Sequence, residues 1–208
     1  PLQNPGGGIY RSTDSGATWT QLTGSGLPDG EWGRVGVAVA PDGKRVYALI
    51  DAGKKSGLYR SNDGGNTWAL ANSDSRITSR GWYFMGLTID PNNPDVVYMP
   101  NIALYRTEDG GKTISIVRGA PGGDDYHQLW VDPKNSAHLI LGTDQGTTIS
   151  LNRGQTWSTW YNQPTAQFYH VITDNDFPYH VYGAQQDTGS IAVPNRTDHG
   201  QITGRDWY

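Results

Sequence analysis

The chain has 208 residues, no cysteine and a formal net charge of −4. Disulfide staples and thiol-based metal or redox chemistry are excluded, and without a run of Lys or Arg nucleic acid has no electrostatic footing. No apolar stretch reaches the length of a membrane span; the 28 Gly, 12 Pro, 8 Trp and 12 Tyr describe a turn-rich sheet protein with large rings between its layers.

In chain order, Gly8 to Ser12 and Trp19 to Leu22 read as a short hairpin. Three fuller sets follow. Their first strands run over Arg34 to Ala40, Phe84 to Asp90 and His127 to Asp132, each reaching a turn led by Pro41, Pro91 or Pro133. Second strands run over Val46–Ile50, Val97–Met99 and Leu139–Gly142, and third strands over Leu58–Arg60, Ala103–Arg106 and Thr147–Ser150. A further set opens at Phe168-Tyr169-His170-Val171 and continues through His180–Gly183 to the region of Trp207 and Tyr208.

One short pattern closes four of these sets. It reads Ser12 to Trp19, Ser61 to Trp68, Thr107 to Ile114 and Ser150 to Trp157. Its third positions, Asp14, Asp63, Asp109 and Asn152, are spaced by 49, 46 and 43 residues (63 − 14, 109 − 63, 152 − 109). A weaker fifth copy is expected at Thr197-Asp198-His199-Gly200. A period of this length matches one four-stranded blade of a β-propeller, so the fold expected is all-β, with about four and a half blades. The segments are 1–28 (an outer hairpin), then blades at 29–74, 75–120, 121–163 and 164–208, the last strand incomplete. An array that opens on two outer strands is expected to be an excerpt of a longer propeller.

The pattern resembles the Asp-box, or BNR repeat, of sialidases, family 74 xyloglucan hydrolases, sortilin (VPS10-type) receptors and a photosystem II assembly factor. Its chemistry explains its residues. The Asp accepts backbone N–H bonds within a tight turn, the Gly at Gly16, Gly65, Gly111 and Gly154 supplies the left-handed backbone, and Trp19, Trp68 or Trp157 packs its ring over the hairpin or between sheets. A calcium loop is excluded by the missing spaced acids and closing Glu. The stretches Asp124 to Pro133, Asn162 to Val171 and Gly183 to Asp187 resemble large bacterial proteins with sortilin-like Asp-box propellers, described as glycosyl hydrolases of undefined substrate.

The resemblance implies a ligand face opposite the boxes, formed by loops leading into first strands and loops joining second to third strands. The former supply Arg34, Arg80, Trp82, Asp124, Asp125, Tyr126, His127, Gln167 and Tyr169; the latter supply Asp51, Lys54, Lys55, Asn101, Asp144, Gln145, Gln185, Gln186 and Asp187. A glycosidase needs two carboxylates, and Asp144 and Asp187 are the expected pair, with Trp82, Tyr126 and Tyr169 offered to sugar rings. A sialidase would need three arginines about its substrate; Arg11, Arg60 and Arg106 recur just ahead of their boxes, which marks them as structural. His127 and His170 are read as bonded to backbone rather than to a metal, and no cofactor is expected. Three functions stand together: a glycan-active hydrolase acting on polysaccharide or oligosaccharide, a peptide-binding propeller, and an assembly or scaffold module. The implied location is extracellular or periplasmic, although this stretch carries no signal peptide.

Overall fold

The computed structural model describes residues 6–121, 123–159, 168–186 and 189–207, together with the backbone but not the side chain of Tyr169. Sixteen strands are assigned among them. They are β1 (Ile9–Arg11), β2 (Thr20–Leu22), β3 (Val35–Val39), β4 (Val46–Ile50), β5 (Gly57–Ser61), β6 (Ala69–Asn72), β7 (Thr88–Asp90) and β8 (Asn93–Pro100). There follow β9 (Leu104–Thr107), β10 (Ser115–Arg118), β11 (Tyr126–Val131), β12 (Leu139–Thr143), β13 (Gly146–Ser150), β14 (Phe168–Thr173), β15 (His180–Gln185) and β16 (Ser190–Pro194). All pairings are antiparallel between chain neighbours, giving sheets β1-β2, β3-β4-β5-β6, β7-β8-β9-β10, β11-β12-β13 and β14-β15-β16. The residues group into two units. The first holds 1–143 and 147–159, the second 144–146 and 160–208.

In the first unit the sheets face one another through three apolar cores. Trp32, Val46, Ala48, Ile50, Tyr59 and Trp68 form one between the first and second sheets, together with Ile9 and Leu27. Tyr47, Leu49, Leu58, Met85, Val97, Met99 and Tyr105 form the next. Val96, Tyr98, Leu104, Tyr126, Leu129, Leu139 and Leu141 form the third. The parity of β4 explains the arrangement. Successive side chains of a strand point to opposite faces, so Val46, Ala48 and Ile50 enter one core while Tyr47 and Leu49 enter the next. Strand β8 divides in the same way, with Val97 and Met99 on one side and Val96 and Tyr98 on the other. Both second strands are therefore buried on both faces and read as unbroken apolar runs.

The boxes are the turns joining third to fourth strands. In the second sheet, Asp63 Oδ1 accepts from Ser61 Oγ (2.7 Å), Asn66 N–H (3.0 Å) and Thr67 N–H (2.8 Å), while Oδ2 accepts from Thr67 Oγ1 (2.6 Å). Ser61 Oγ accepts from Gly65 N–H at 2.8 Å, and Trp68 folds back to donate Nε1–H to Gly65 O at 3.1 Å. Asp14 and Asp109 accept from their own Ser or Thr pairs in the same way. The Thr18 and Thr67 hydroxyls, followed by their N–H groups, hold the Asp14 and Asp63 carboxyls down at about 2. The Thr113 N–H leads the same effect at Asp109.

A second set of bonds ties each box to its surroundings. The fourth box residue donates its N–H to the turn between the first two strands of its own sheet or to the start of the second strand: Gly64 to Lys44 O (2.8 Å), Gly110 to Asp95 O (3.0 Å) and Arg153 to Ala137 O (3.0 Å). Its carbonyl accepts from the arginine ahead of the previous box: Arg11 Nη1 to Gly64 O (3.0 Å), Arg60 Nη1 to Gly110 O (3.1 Å) and Arg106 Nη1 to Arg153 O (3.0 Å). The box glycine lies against the fourth strand of the previous sheet, because a Cβ on Gly65, Gly111 or Gly154 would meet Leu22, Ala71 or Val117. The joint between sheets is thus made three times with the same atoms.

The structure corrects several expectations. The first strand of the third sheet is Thr88–Asp90, shorter than Phe84 to Asp90, because Phe84 to Leu87 belong to the loop before it. Its partner starts at Asn93 rather than Val97. Of the two placements expected for the box tryptophan, Trp19 takes the one over its own hairpin: it folds onto Gly16 O (3.1 Å) and stays exposed, with no preceding sheet over it among the described residues. The expected fifth box is not one. In that turn Asp206 accepts from Thr197 Oγ1, Thr203 N–H and Thr203 Oγ1. Asp198 stands one residue after its hydroxyl instead of two, and Ile202 occupies the place of the closing threonine.

Candidate functional site

Antiparallel connectivity puts the boxes and the turns between first and second strands at one end of each sheet. The loops leading into first strands share the other end with the loops joining second to third strands. Hydrogen bonds at that second end tie the two loop types together: Gly33 N–H to Asp51 O (2.7 Å), and Tyr126 N–H to Asn101 O (2.9 Å).

The loop between β6 and β7 builds the site. Asp74 caps a short 3₁₀ turn over Ser75–Thr78 by accepting from Arg76 N–H at 3.0 Å. Ile77 inserts into the core beneath it. The buried Asn101 clamps the loop, accepting from Ser79 Oγ (2.7 Å) and donating Nδ2–H to Ile77 O (3.1 Å). Arg80 O accepts from both Tyr83 and Phe84 N–H at 2.8 Å, which turns the chain sharply and lifts Trp82 and Tyr83 outward. They are 58% and 52% exposed, with ring centroids 5.6 Å apart and planes 27° from parallel. Phe84 turns back under them and packs on the His127 ring at 4.3 Å, and Tyr83 meets the same ring edge-on at 5.9 Å.

Charge sits beside these rings. Arg80 Nη2 contacts Asp125 Oδ1 at 2.6 Å, and its guanidinium lies 5.4 Å from the centre of the Trp82 ring. The contact is an ion pair at a poor hydrogen-bonding angle: Arg80 Nε and Asp125 Oδ1 are buried and neither makes an aligned hydrogen bond. Buried polar atoms in that condition call for another hydrogen-bonding atom at the site. Asp125 also holds a left-handed backbone, with φ of 44°, a conformation that costs a non-glycine residue free energy. From the neighbouring sheet Asp51 approaches the same loop, its Oδ2 3.2 Å from where a Cβ on Gly81 would stand. Close by, the inner strands border an open groove of about 300 Å³, lined by Gly36, Met85, Leu87, His127 and Leu129 among others.

The first unit therefore brings together Arg80, Trp82, Asp125 and His127 of the expected ligand-face residues. Asp124 adjoins them in sequence and is exposed. Tyr126 does not face the ligand side. It is fully buried in the third core, donates its hydroxyl to Gly123 O (3.0 Å), and burial raises its pKa. The cause is a bulge: register shifts between Tyr126 and Gln128, turning Tyr126 to the face that Leu129 and Val131 also bury. Asn101, grouped with the polar loop residues, serves as the buried clamp. Tyr83 and Phe84 were missed as site residues; the signal was the run Trp82-Tyr83-Phe84, read partly as strand.

The second unit contains Asp144, Gln145, Gln185 and Gln186. Asp144 and Gln145 form the turn between β12 and β13, and Gln185 ends β15, donating its N–H to Gly189 O at 3.1 Å. Asp187 and Gln167 lie outside the described residues, as does the side chain of Tyr169. Asp174, Asp176 and His180 gather ligand-type atoms within 4.8 Å. Asp174, however, already accepts from His180 N–H (2.9 Å) and Tyr182 Oη (2.8 Å), with His180 Nδ1 at 3.0 Å. These bonds, His180 N–H first, hold its carboxyl at about 2. Asp132 and His138 repeat the contact at 3.2 Å in the first unit, so the pair is a turn feature of the repeat.

Sheets of this kind, joined by this repeated contact, define blades of a β-propeller. Comparison with solved structures agrees. The chain is similar to a GH74 enzyme of Niastella koreensis, with 18% identity over 95% of this chain and a TM-score of 0.60. It is also similar to the GH74 xyloglucanase of Xanthomonas campestris (16%, 95% and 0.52) and to an ancestral GH74 enzyme (15%, 97% and 0.50). It spans 34%, 34% and 35% of those chains respectively, about a third of each. At such identities the likeness shows the fold. No protein-family model and no curated protein sequence matches the chain.

Proposed function

We propose that this chain is a section of a carbohydrate-active β-propeller that holds a glycan on the Trp82–Tyr83 surface. The observation that carries the reading is a pair of exposed, near-parallel rings fixed by a clamped loop beside a partly buried Arg80–Asp125 pair. Flat rings receive the C–H faces of pyranoses, and the Arg80–Asp125 ion pair sets charge beside them. The likeness to GH74 enzymes, one of them a xyloglucanase, supports a polysaccharide ligand. In the fuller form of this proposal the parent protein is an extracellular or periplasmic glycoside hydrolase, with Asp144 and Asp187 as its two carboxylates.

Affinity electrophoresis through gels carrying plant and microbial polysaccharides tests the binding step. The wild-type chain is expected to be retarded by at least one polymer, and Trp82→Ala to run free on it while keeping its unfolding midpoint. Equal retardation of both would remove the site; no retardation on any polymer would remove the glycan. For hydrolysis, the parent protein and its Asp144→Asn, Asp187→Asn double variant are compared for released reducing ends. Release that survives the double substitution would discard those acids. A second reading, capture of a peptide, draws on the groove beside the inner strands at Gly36, Met85 and Leu129. It predicts a bound peptide that Trp82→Ala does not release.

A further inference from the structure

Four Asp–Gly pairs occur in the chain: Asp29-Gly30, Asp42-Gly43, Asp63-Gly64 and Asp109-Gly110. Such a pair can react with itself, because glycine leaves its main-chain nitrogen unshielded beside the preceding carboxyl. Three of the four are closed. The Gly64 and Gly110 N–H groups are given to Lys44 O (2.8 Å) and Asp95 O (3.0 Å), and the Gly43 N–H to Ala40 O (2.9 Å). The carboxylates before them are tied as well. Asp63 and Asp109 are held by the hydroxyls and N–H groups of their boxes, and Asp42 Oδ1 accepts from Lys44 N–H (2.9 Å) and Arg45 N–H (3.3 Å). Asp29-Gly30 differs on both counts. Among the described residues the Gly30 N–H makes no hydrogen bond, and a Cβ there would meet nothing within 4 Å. The Asp29 side chain is 88% exposed, and its side-chain partner is Lys55. The pair stands at the tip of a loop whose feet are fixed. Trp68 N–H reaches Ser25 O at 2.7 Å, Leu27 and Trp32 enter the core, and Trp32 donates Nε1–H to Pro28 O at 3.0 Å. The tip between those feet projects into solvent.

We infer that Asp29 is a site of covalent modification, converting to isoaspartate through a cyclic imide formed with Gly30. The Gly30 nitrogen attacks Asp29 Cγ and gives up its proton. The bond from Cγ to its hydroxyl breaks, and the hydroxyl leaves with that proton as water. Water then adds to one of the two ring carbonyls. Opening at Cγ restores Asp29. Opening at the main-chain carbonyl leaves the chain running through Cβ and Cγ, with the former main-chain carbonyl as a free carboxylate. One water leaves and one returns, and nothing is oxidised or reduced. The reacting form is the carboxylic acid, since a carboxylate has no hydroxyl to lose. Lys55 hydrogen-bonds the Asp29 carboxylate and holds it below its usual range, so it acts as a brake. The product is the group that an isoaspartyl carboxyl methyltransferase takes as substrate. It arises at the ligand end, where it lengthens the main chain of the loop leading into β3 and moves the charge that pairs with Lys55 of the loop joining β4 to β5.

The folded chain is aged in mildly acid buffer to test this. Isoaspartate at each of the four pairs is read by electron-transfer fragmentation of its peptides, with labelled methyl transfer by the isoaspartyl methyltransferase as a second measure. Asp29 is expected to convert about tenfold or more faster than Asp42, Asp63 or Asp109, the scale on which hydrogen bonds that close a turn hold down local opening. The same chain in concentrated urea is the control, and there the four pairs are expected to convert at similar rates. Conversion at any of the other three as fast as at Asp29 in the folded chain would overturn the inference. So would a lead of Asp29 that persists undiminished in urea, because neighbouring sequence rather than the fold would then set it. A Lys55→Gln chain is expected to convert faster at Asp29 alone. An unchanged rate there would overturn the part given to Lys55.

Discussion

The second and fourth boxes hold one turn with different chemistry. At Asp63 a carboxylate accepts every bond, including that of the Thr67 hydroxyl. At Asn152 the amide oxygen accepts from Ser150 Oγ (3.0 Å) and Thr156 N–H (2.9 Å), while Nδ2–H donates to Thr156 Oγ1 at 2.8 Å. One hydrogen bond has changed direction and the backbone has not. Gly154 N–H still reaches Ser150 Oγ at 2.8 Å, and Trp157 still donates to Gly154 O at 3.0 Å. The turn thus needs a planar group with one acceptor in the right place, and the charge is an addition to it.

The two boxes differ most in what covers their tryptophans, and that is where the largest effect is expected. Trp68→Ala empties a core position shared with Trp32 and Tyr59, for a loss of about 3–5 kcal/mol in urea unfolding. The half-buried Trp157 loses less, and Trp19→Ala stays within about 0.5 kcal/mol. A Trp19 loss matching that of Trp68 would break the ordering by burial. Next come Ser61→Ala and Ser150→Ala, which strand the buried N–H of Gly65 or Gly154 and cost about 1–3 kcal/mol each. Their equality would confirm that both boxes rest on the serine, and a much smaller loss at Ser150 would separate them. Arg60→Gln removes the bond to Gly110 O between sheets and is expected to cost about 1 kcal/mol. The smallest effect at neutral pH is that of Asp63→Asn, which copies the fourth box. Its signature lies in acid. The folded Asp63 carboxyl titrates at about 2, below its ordinary 3.8, so its contribution is full above 3.8 and is lost as pH falls towards 2. Asp63→Asn should flatten that part of the stability profile and Asn152→Asp should steepen it, as read from urea midpoints between pH 2 and 7.

The sheets were legible because the boxes punctuate the chain at a blade's period, and because β4 and β8 are apolar on both faces. The site was legible only in part. Trp82 and His127 could be placed at the correct end from connectivity alone. The Arg80–Asp125 pair could not, since it joins residues of different repeats whose meeting depends on the Asn101 clamp. Tyr126 was misplaced because a bulge leaves no mark in the alternation of apolar residues until the partner strand is known. The false fifth box teaches a related point: its composition suits the motif, but the turn depends on spacing, and there one residue is missing between hydroxyl and carboxylate.

The joint between blades also bears on inheritance. Its receiving atoms are the N–H and carbonyl of the main chain, which Gly64, Gly110 and Arg153 offer equally well. Mutation cannot delete a carbonyl. Any residue that keeps its N–H and accepts the left-handed backbone shared by Gly64, Gly110 and Arg153 can therefore stand here while successive blades go on meeting in the same register. The meeting of successive blades is thus carried by backbone geometry, with a single arginine from the blade before as its side-chain partner.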